Sequence, residues 1–205
     1  MRGEDFRLRI RKAAEKSGKR GRMEDRDLVE RAKAGSAEAV SRLVERHQDP
    51  LYAFLYRYVG HEADAEDLCQ EVFVKALGGL DTFEGGSRFR TWLFAIAANA
   101  ARDRLRRRRR ENGRAYADES ELARMAAPAR SDPETVVIME RRDAVHDAIA
   151  ALPPRERVAV ILSTWHELSY AEIGGVIECS PNAVGSLLCR ARKRLASRLA
   201  DWADS

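Results

Sequence analysis

Apolar residues recur in steps of three and four along most of this chain, and nowhere do they alternate over the length of a strand. That spacing lines them up along one face of successive helices and dictates an all-α fold. Between residues 25 and 110 the stripe runs through Leu28, Ala32, Ala39, Val40, Leu43 and Val44, then Leu51, Leu55, Tyr58 and Val59, then Ala65, Leu68, Val72 and Ala76. Gly35-Ser36, Gly60 and Gly78-Gly79 punctuate it, with Ser36 placed to cap a helix start and Gly60 to end one. A loop over 81–87 precedes a long helix expected from about 90 to 110.

Residues 111–132 lose the pattern. They are polar, carry Gly113, Pro128 and Ser131, and read as a linker able to span roughly 70 Å when extended. Order restarts at Asp132-Pro133, an N-cap followed by a first helical position, and Val137, Ala144, Val145 and Ala148 follow at helical spacing. Leu152-Pro153-Pro154 breaks the chain, one helix runs to about His166, and two more reach about Trp202. The expected architecture is two small helical domains, 25–110 and 133–205, joined by a flexible linker.

Charge bears on partners. Charged residues make up 34% of the chain with a net charge of only +4. Residues 1–22 hold nine Lys and Arg against three acids, so the remainder is slightly acidic. Residues 1–24 read as a basic, disordered extension, with Met23 a candidate natural start; a basic arm that touches nucleic acid is the competing reading. Any basic surface beyond it must arise by segregating charge.

Other classes fall away. Cys69, Cys179 and Cys189 form neither a disulfide framework nor a metal-binding spacing, and fit a reducing cytoplasm. His47, His61, His146 and His166 are scattered, and no phosphate loop or nucleophile elbow occurs. No enzyme activity, cofactor, metal or membrane span is expected.

The sharpest local signal lies between 169 and 199. Ser169-Tyr-Ala-Glu172 is a capping box that starts a short helix with Ile173, Val176 and Ile177 inward. Glu178-Cys179 makes a turn, and Ser180-Pro181 starts a second helix whose buried stripe is Val184, Leu187, Leu188, Ala191, Leu195 and Leu199. Two short-coupled helices of this kind form a helix-turn-helix. Gly174 and Gly175 weaken the first helix unless they permit a close crossing. The outward residues of the second, Asn182, Gly185, Ser186, Cys189 and Arg190, would meet a major groove. Arg192, Lys193, Arg194 and Arg198 continue as a cationic stripe suited to phosphates. A plain helical hairpin with a solvated basic face is the competing reading.

The helix ending near 110 closes with Arg102, Arg104 and Arg106 to Arg110, more guanidiniums than the helix dipole requires. Phe83, Phe89, Trp92 and Phe94 precede them, a combination that suits single-stranded nucleic acid, although core packing explains most of the aromatics as well.

Three segments together resemble region 2 of extracytoplasmic-function sigma factors: Asp64-Ala-Glu-Asp-Leu-Cys-Gln-Glu-Val-Phe73, Phe83-Glu-Gly-Gly-Ser-Arg-Phe-Arg-Thr-Trp-Leu93, and Asn99 with the arginine run. Leu152-Pro-Pro-Arg-Glu-Arg157, Leu168-Ser-Tyr-Ala-Glu-Ile173 and the stretch 180–195 resemble region 4. The resemblance implies a promoter-recognition subunit with core RNA polymerase, promoter DNA and an anti-sigma factor as partners. It implies polymerase docking by Asp64, Asp67, Gln70 and Glu71. It implies minus-ten recognition by Arg90, Trp92, Asn99, Arg102, Asp103, Arg106 and Arg107, with Asn99 helping to hold a flipped-out base. It implies minus-35 contacts by Ser180, Asn182, Ser186, Cys189, Arg190, Arg192, Lys193 and Arg194. Gly185, Leu187 and Cys189 depart from residues common in that family, which bears on the sequence read. A stand-alone helix-turn-helix regulator would explain 169–199 equally well, but not the acidic helix followed by aromatics and arginines.

Overall fold

The computed structural model describes residues 24–112 and 133–200. The expectations for 1–22, for 113–132 and for a helix end near Trp202 lie outside the described residues. Eight α-helices are described: α1 Asp25–Lys33, α2 Ala37–Val59, α3 Glu62–Gly78, α4 Phe89–Asn112, α5 Pro133–Ala150, α6 Pro154–Trp165, α7 Tyr170–Ile177 and α8 Pro181–Arg198. A single 3-10 turn, Leu80–Thr82, precedes the loop before α4. No strand occurs among the described residues.

The caps fall where the side chains allow. Ser36 accepts a hydrogen bond from the Ala39 amide at 3.3 Å and starts α2, and Gly60 ends it in the left-handed region at φ 82°. The sequence suggested two stripes here, but α2 is one helix that continues through Pro50. An interior proline costs about 3 kcal/mol. Leu43, Leu51, Phe54, Leu55 and Tyr58 are all buried on the same helix, and each such side chain contributes about 1.5–3 kcal/mol. Burial on both sides of the proline therefore outweighs it.

In the N-terminal half, α2 packs on α1, α3 and α4, which places the buried face of α3 (Leu68, Val72) against the same core as Leu93 and Phe94 of α4. In the C-terminal half, α6, α7 and α8 pack around Val158, Ile161, Leu162, Ile173, Val184 and Leu188. The two halves share one hydrophobic cluster, because α4 lies along α7 and α2 lies against α5 and α6.

Gly174 and Gly175 serve different contacts. A Cβ on Gly174 would stand 2.5 Å from the Cys179 carbonyl oxygen, so only glycine lets the turn fold back on α7. A Cβ on Gly175 would stand 3.4 Å from the Thr91 methyl, where α7 crosses α4. Gly174→Ala should lower stability by about 1–3 kcal/mol through overpacking against backbone, read as a loss in urea midpoint, while Gly78→Ala, with open space around it, should leave the midpoint nearly unchanged.

Candidate polymerase and nucleic-acid interfaces

The acidic helix α3 buries Ala65, Leu68, Val72 and Ala76 and turns its carboxylates to the surface. Asp67 is open, with its side chain 69% exposed, and Gln70 is exposed one turn on. Asp64 is less free: its two carboxylate oxygens accept from Arg104 Nη1 at 2.7 Å and Arg108 Nη1 at 3.2 Å. Glu71 accepts from Lys75 at 2.7 Å, a bond that holds its carboxyl below the usual range. The four residues share a surface, and Val74, 72% exposed, adds an apolar side chain one turn beyond Gln70.

On α4 the arginines divide. Arg104 and Arg108 face α3, Arg106 pairs with Asp103 at 3.1 Å, and Arg102 donates to the Asn99 side-chain oxygen. Arg107, Arg109 and Arg110 are exposed and make no ion pair among the described residues. The aromatics are mostly core: Phe83, Phe89 and Phe94 are buried, and the half-buried Trp92 packs against Phe83 with ring centroids 5.2 Å apart.

Arg90 is turned to the C-terminal half, where it donates to the His166 carbonyl at 2.6 Å and lies over the Phe94 ring. Asn99 is exposed into a cleft of about 160 Å³ between the halves. Tyr58, Asn99 and Arg102 form one wall, and Arg155, Val158 and Glu178 the other. Of the residues expected to meet the minus-ten strand, Asn99 and Arg102 line this cleft and Asp103, Arg106 and Arg107 lie on open surface.

Two residues that sequence reasoning did not single out hold the halves together. Arg157, 4% exposed, donates to the Tyr58 carbonyl at 3.1 Å, with its guanidinium 5.0 Å over the Tyr58 ring. His166, 6% exposed, presents its ring to Phe94 at 4.9 Å and Phe54 at 6.2 Å. Burial, with Arg90 and Arg57 nearby, pushes the His166 pKa down to about 4. A signal for Arg157 existed: Ile161 lies four residues on, so the helical phase puts Arg157 on the buried face.

The helix-turn-helix is formed by α7 and α8. Ser169 Oγ accepts from the Glu172 amide, and Glu172 accepts from the Ser169 amide at 2.9 Å, which completes the capping box. Glu178 makes the turn in the left-handed region at φ 54°, and Ser180 caps α8 through the Ala183 amide at 3.3 Å. Ser180, Asn182, Ser186, Cys189, Arg190, Arg192, Lys193 and Arg194 are all exposed, whereas Leu187 is buried. Arg190 and Arg194 are not loose: their Nε atoms lie 3.2 and 3.3 Å from the two oxygens of Glu156, a carboxylate 5% exposed on α6.

The profile for Sigma-70 region 2 matches residues 43–111, and that for Sigma-70 region 4 matches residues 142–195. The RNA polymerase sigma-H factor of Pseudomonas aeruginosa is 34% identical over 181 residues, covering 86% of this chain and 94% of its own length. This chain belongs to the sigma-70 family. The ECF RNA polymerase sigma-E factor of Escherichia coli K12 is 35% identical over 85% of the chain and 94% of its own. Among solved structures, CnrH in complex with the cytosolic domain of CnrY aligns with a TM-score of 0.65 and 28% identity, covering 88% of this chain and 99% of that one. The sigma factor RpoE of Bartonella quintana, in complex with the anti-sigma factor NepR, aligns with a TM-score of 0.59 and 26% identity over 78% of this chain and 96% of that one.

The protein is thus an ECF sigma factor, a transcription initiation factor. Region 2 spans most of α2, all of α3 and most of α4, and region 4 runs from within α5 into α8. Among the described residues no helix is long and apolar enough to cross a membrane, and no cluster of His, Cys, Asp and Glu is suited to a metal.

The burial of His166 against the N-terminal half predicts that the sigma factor's inter-half contact responds to pH. A solvated histidine titrates near 6.5 and the docked one near 4, so docking keeps its full strength above pH 6.5 and weakens as pH falls towards 4. The loss approaches about 3 kcal/mol, from about 1.4 kcal/mol per unit. The radius of gyration measured by small-angle X-ray scattering should rise over that window, and His166→Phe should flatten the rise; a radius independent of pH would remove His166 from the contact.

Proposed function

We propose that this chain recruits core RNA polymerase through the exposed face of α3 and directs it to promoters, with α8 reading the minus-35 duplex and α4 taking the melted minus-ten strand. The observation that carries this reading is the order of surfaces along one chain: an acidic helix with Asp67 open, an arginine-rich helix with Asn99 at a cleft, and a helix-turn-helix with a basic outer face. Residues 25–110 act as the polymerase and minus-ten domain, 133–205 as the minus-35 domain, and 111–132 as the linker between them. The protein is cytoplasmic, performs no chemistry itself, and relies on polymerase for catalysis and its metals.

The roles of individual residues follow from chemistry. Asp67, Gln70 and Glu71 suit a basic docking surface, with Val74 available for apolar contact. Asn99 carries an amide able to pair with a base edge, beside Arg102 for the adjoining phosphate. On α8, Asn182 and Ser186 near the N-terminus suit base edges, while Arg192 and Lys193 suit phosphates.

The closed arrangement of the halves bears on regulation. Arg155, Val158 and Glu178 wall the cleft that Asn99 faces, so parting of α4 and the C-terminal half would widen a strand's access to Asn99. The CnrH and RpoE structures are complexes with CnrY and with the anti-sigma factor NepR. By analogy, an anti-sigma protein holds this chain in a form unable to meet promoter DNA.

Asp67→Arg should reduce co-elution with core RNA polymerase by about tenfold or more, a charge reversal at an interface rim or core being worth at least about 1–2 kcal/mol, with helical content unchanged. Equal co-elution would remove α3 as the docking face. Asn99→Ala should leave co-elution intact and lower open-complex formation, read by permanganate reactivity of unpaired thymines at the promoter.

A further inference from the structure

The docking helix and the strand-capturing helix neutralise one another. Asp64 engages both carboxylate oxygens, one with Arg104 at 2.7 Å and the other with Arg108 at 3.2 Å. Arg104 also stands 3.9 Å from Asp67 and from Glu71, too far for a hydrogen bond but within their field. Both arginines are only partly exposed, with side-chain values of 26% and 34%, whereas Arg106, on the other side of α4, is 65% exposed. Seven arginines crowd residues 102–110, so each repels the others and Asp64 is the nearest counter-charge for two of them.

We infer that Asp64 masks Arg104 and Arg108 in the free protein, and that a basic polymerase surface settling on Asp64, Asp67 and Glu71 releases both guanidiniums to the phosphates of the melted strand. The inference rests on the proposed assignment of α3 to polymerase and α4 to single-stranded DNA. An incoming lysine or arginine satisfies Asp64 in place of Arg104 and Arg108, and the mutual repulsion of the arginine row then favours their swing outward. Reciprocity follows: a strand that captures Arg104 and Arg108 leaves Asp64 more negative and tightens polymerase docking by the same factor.

Salt dependence counts the phosphate contacts. The slope of log K against log salt steepens by about 0.7 for each phosphate neutralised on a single strand. Binding of a short fluorescein-labelled single strand to the full-length protein, without polymerase, is followed by anisotropy across a range of sodium chloride. Asp64→Asn should steepen the slope by about 0.7–1.4, for one or two freed arginines. Glu66→Gln removes the same charge from α3 at a residue with no ion pair among the described residues, and should leave the slope unchanged. Equal slopes for the two variants overturn the inference.

Loss of the fold in Asp64→Asn is covered by the reverse pair, Arg104→Gln with Arg108→Gln. That variant should match wild type in free protein and show a shallower slope only in the holoenzyme. An unchanged slope in the holoenzyme assigns both arginines a purely structural role and defeats the inference. Failure of the wild type to co-elute with core polymerase would instead defeat the proposed function, so the two failures are distinguishable.

Discussion

The relative placement of the two halves hangs on a buried cation. Arg157 reaches from α6 into the N-terminal half, where it meets a backbone carbonyl and an aromatic face and no carboxylate. Burial pushes its pKa down, yet a guanidinium stays charged at any physiological pH. Its Nε finds no hydrogen-bond partner. A charge in this setting is costly to bury and is retained only because the surrounding contacts outweigh the cost. Tyr58, Phe54 and Phe94 supply them, together with His166, which must remain neutral to stay. The buried cation and the requirement that His166 stay neutral both count against the closed arrangement.

That balance connects the fold to the site. The surfaces assigned to promoter DNA are unequally available when the halves are closed. The outer face of α8 stands in solvent, whereas Asn99 and Arg102 border a cleft walled on its far side by α6 and the α7–α8 turn. Opening would therefore widen access to Asn99 and Arg102, while Asp103, Arg106, Arg107 and the outer face of α8 are open already. Charge does not repeat this asymmetry: on each helix one carboxylate of a neighbouring helix holds two arginines, Asp64 of α3 with Arg104 and Arg108 of α4, and Glu156 of α6 with Arg190 and Arg194 of α8.

Local signals made much of this legible in the sequence. The capping box at Ser169, the Ser180-Pro181 start and the Gly60 stop each act within one helical turn, so four residues suffice to specify them. The helix through Pro50 was not legible as one element, because tertiary burial on both sides overrides a local breaker. Gly174 and Gly175 read as a weakness or as room for a close crossing; which one applies depends on the Cys179 carbonyl beside Gly174 and on Thr91 beside Gly175, the latter more than eighty residues away in the chain. The family resemblance assigned Arg90 and Trp92 to the minus-ten strand; what the sequence did not reveal is that Arg90 also donates to the His166 carbonyl and that Trp92 packs against Phe83 and Phe89. The domain–domain contact was harder to read: the helical phase puts Arg157 on the buried face of α6, but Arg157 and His166 are polar residue types in a buried role.

Glu156 has a consequence for recognition. Its two oxygens tether Arg190 and Arg194 to α6 before any DNA is present. A long side chain that is already held loses less rotamer freedom when it binds, so the outer face of α8 is preorganised. The tether also limits how far those guanidiniums can swing. On the proposed reading of α8, the breadth of sequences it tolerates is set in part by a carboxylate on α6, a neighbouring helix.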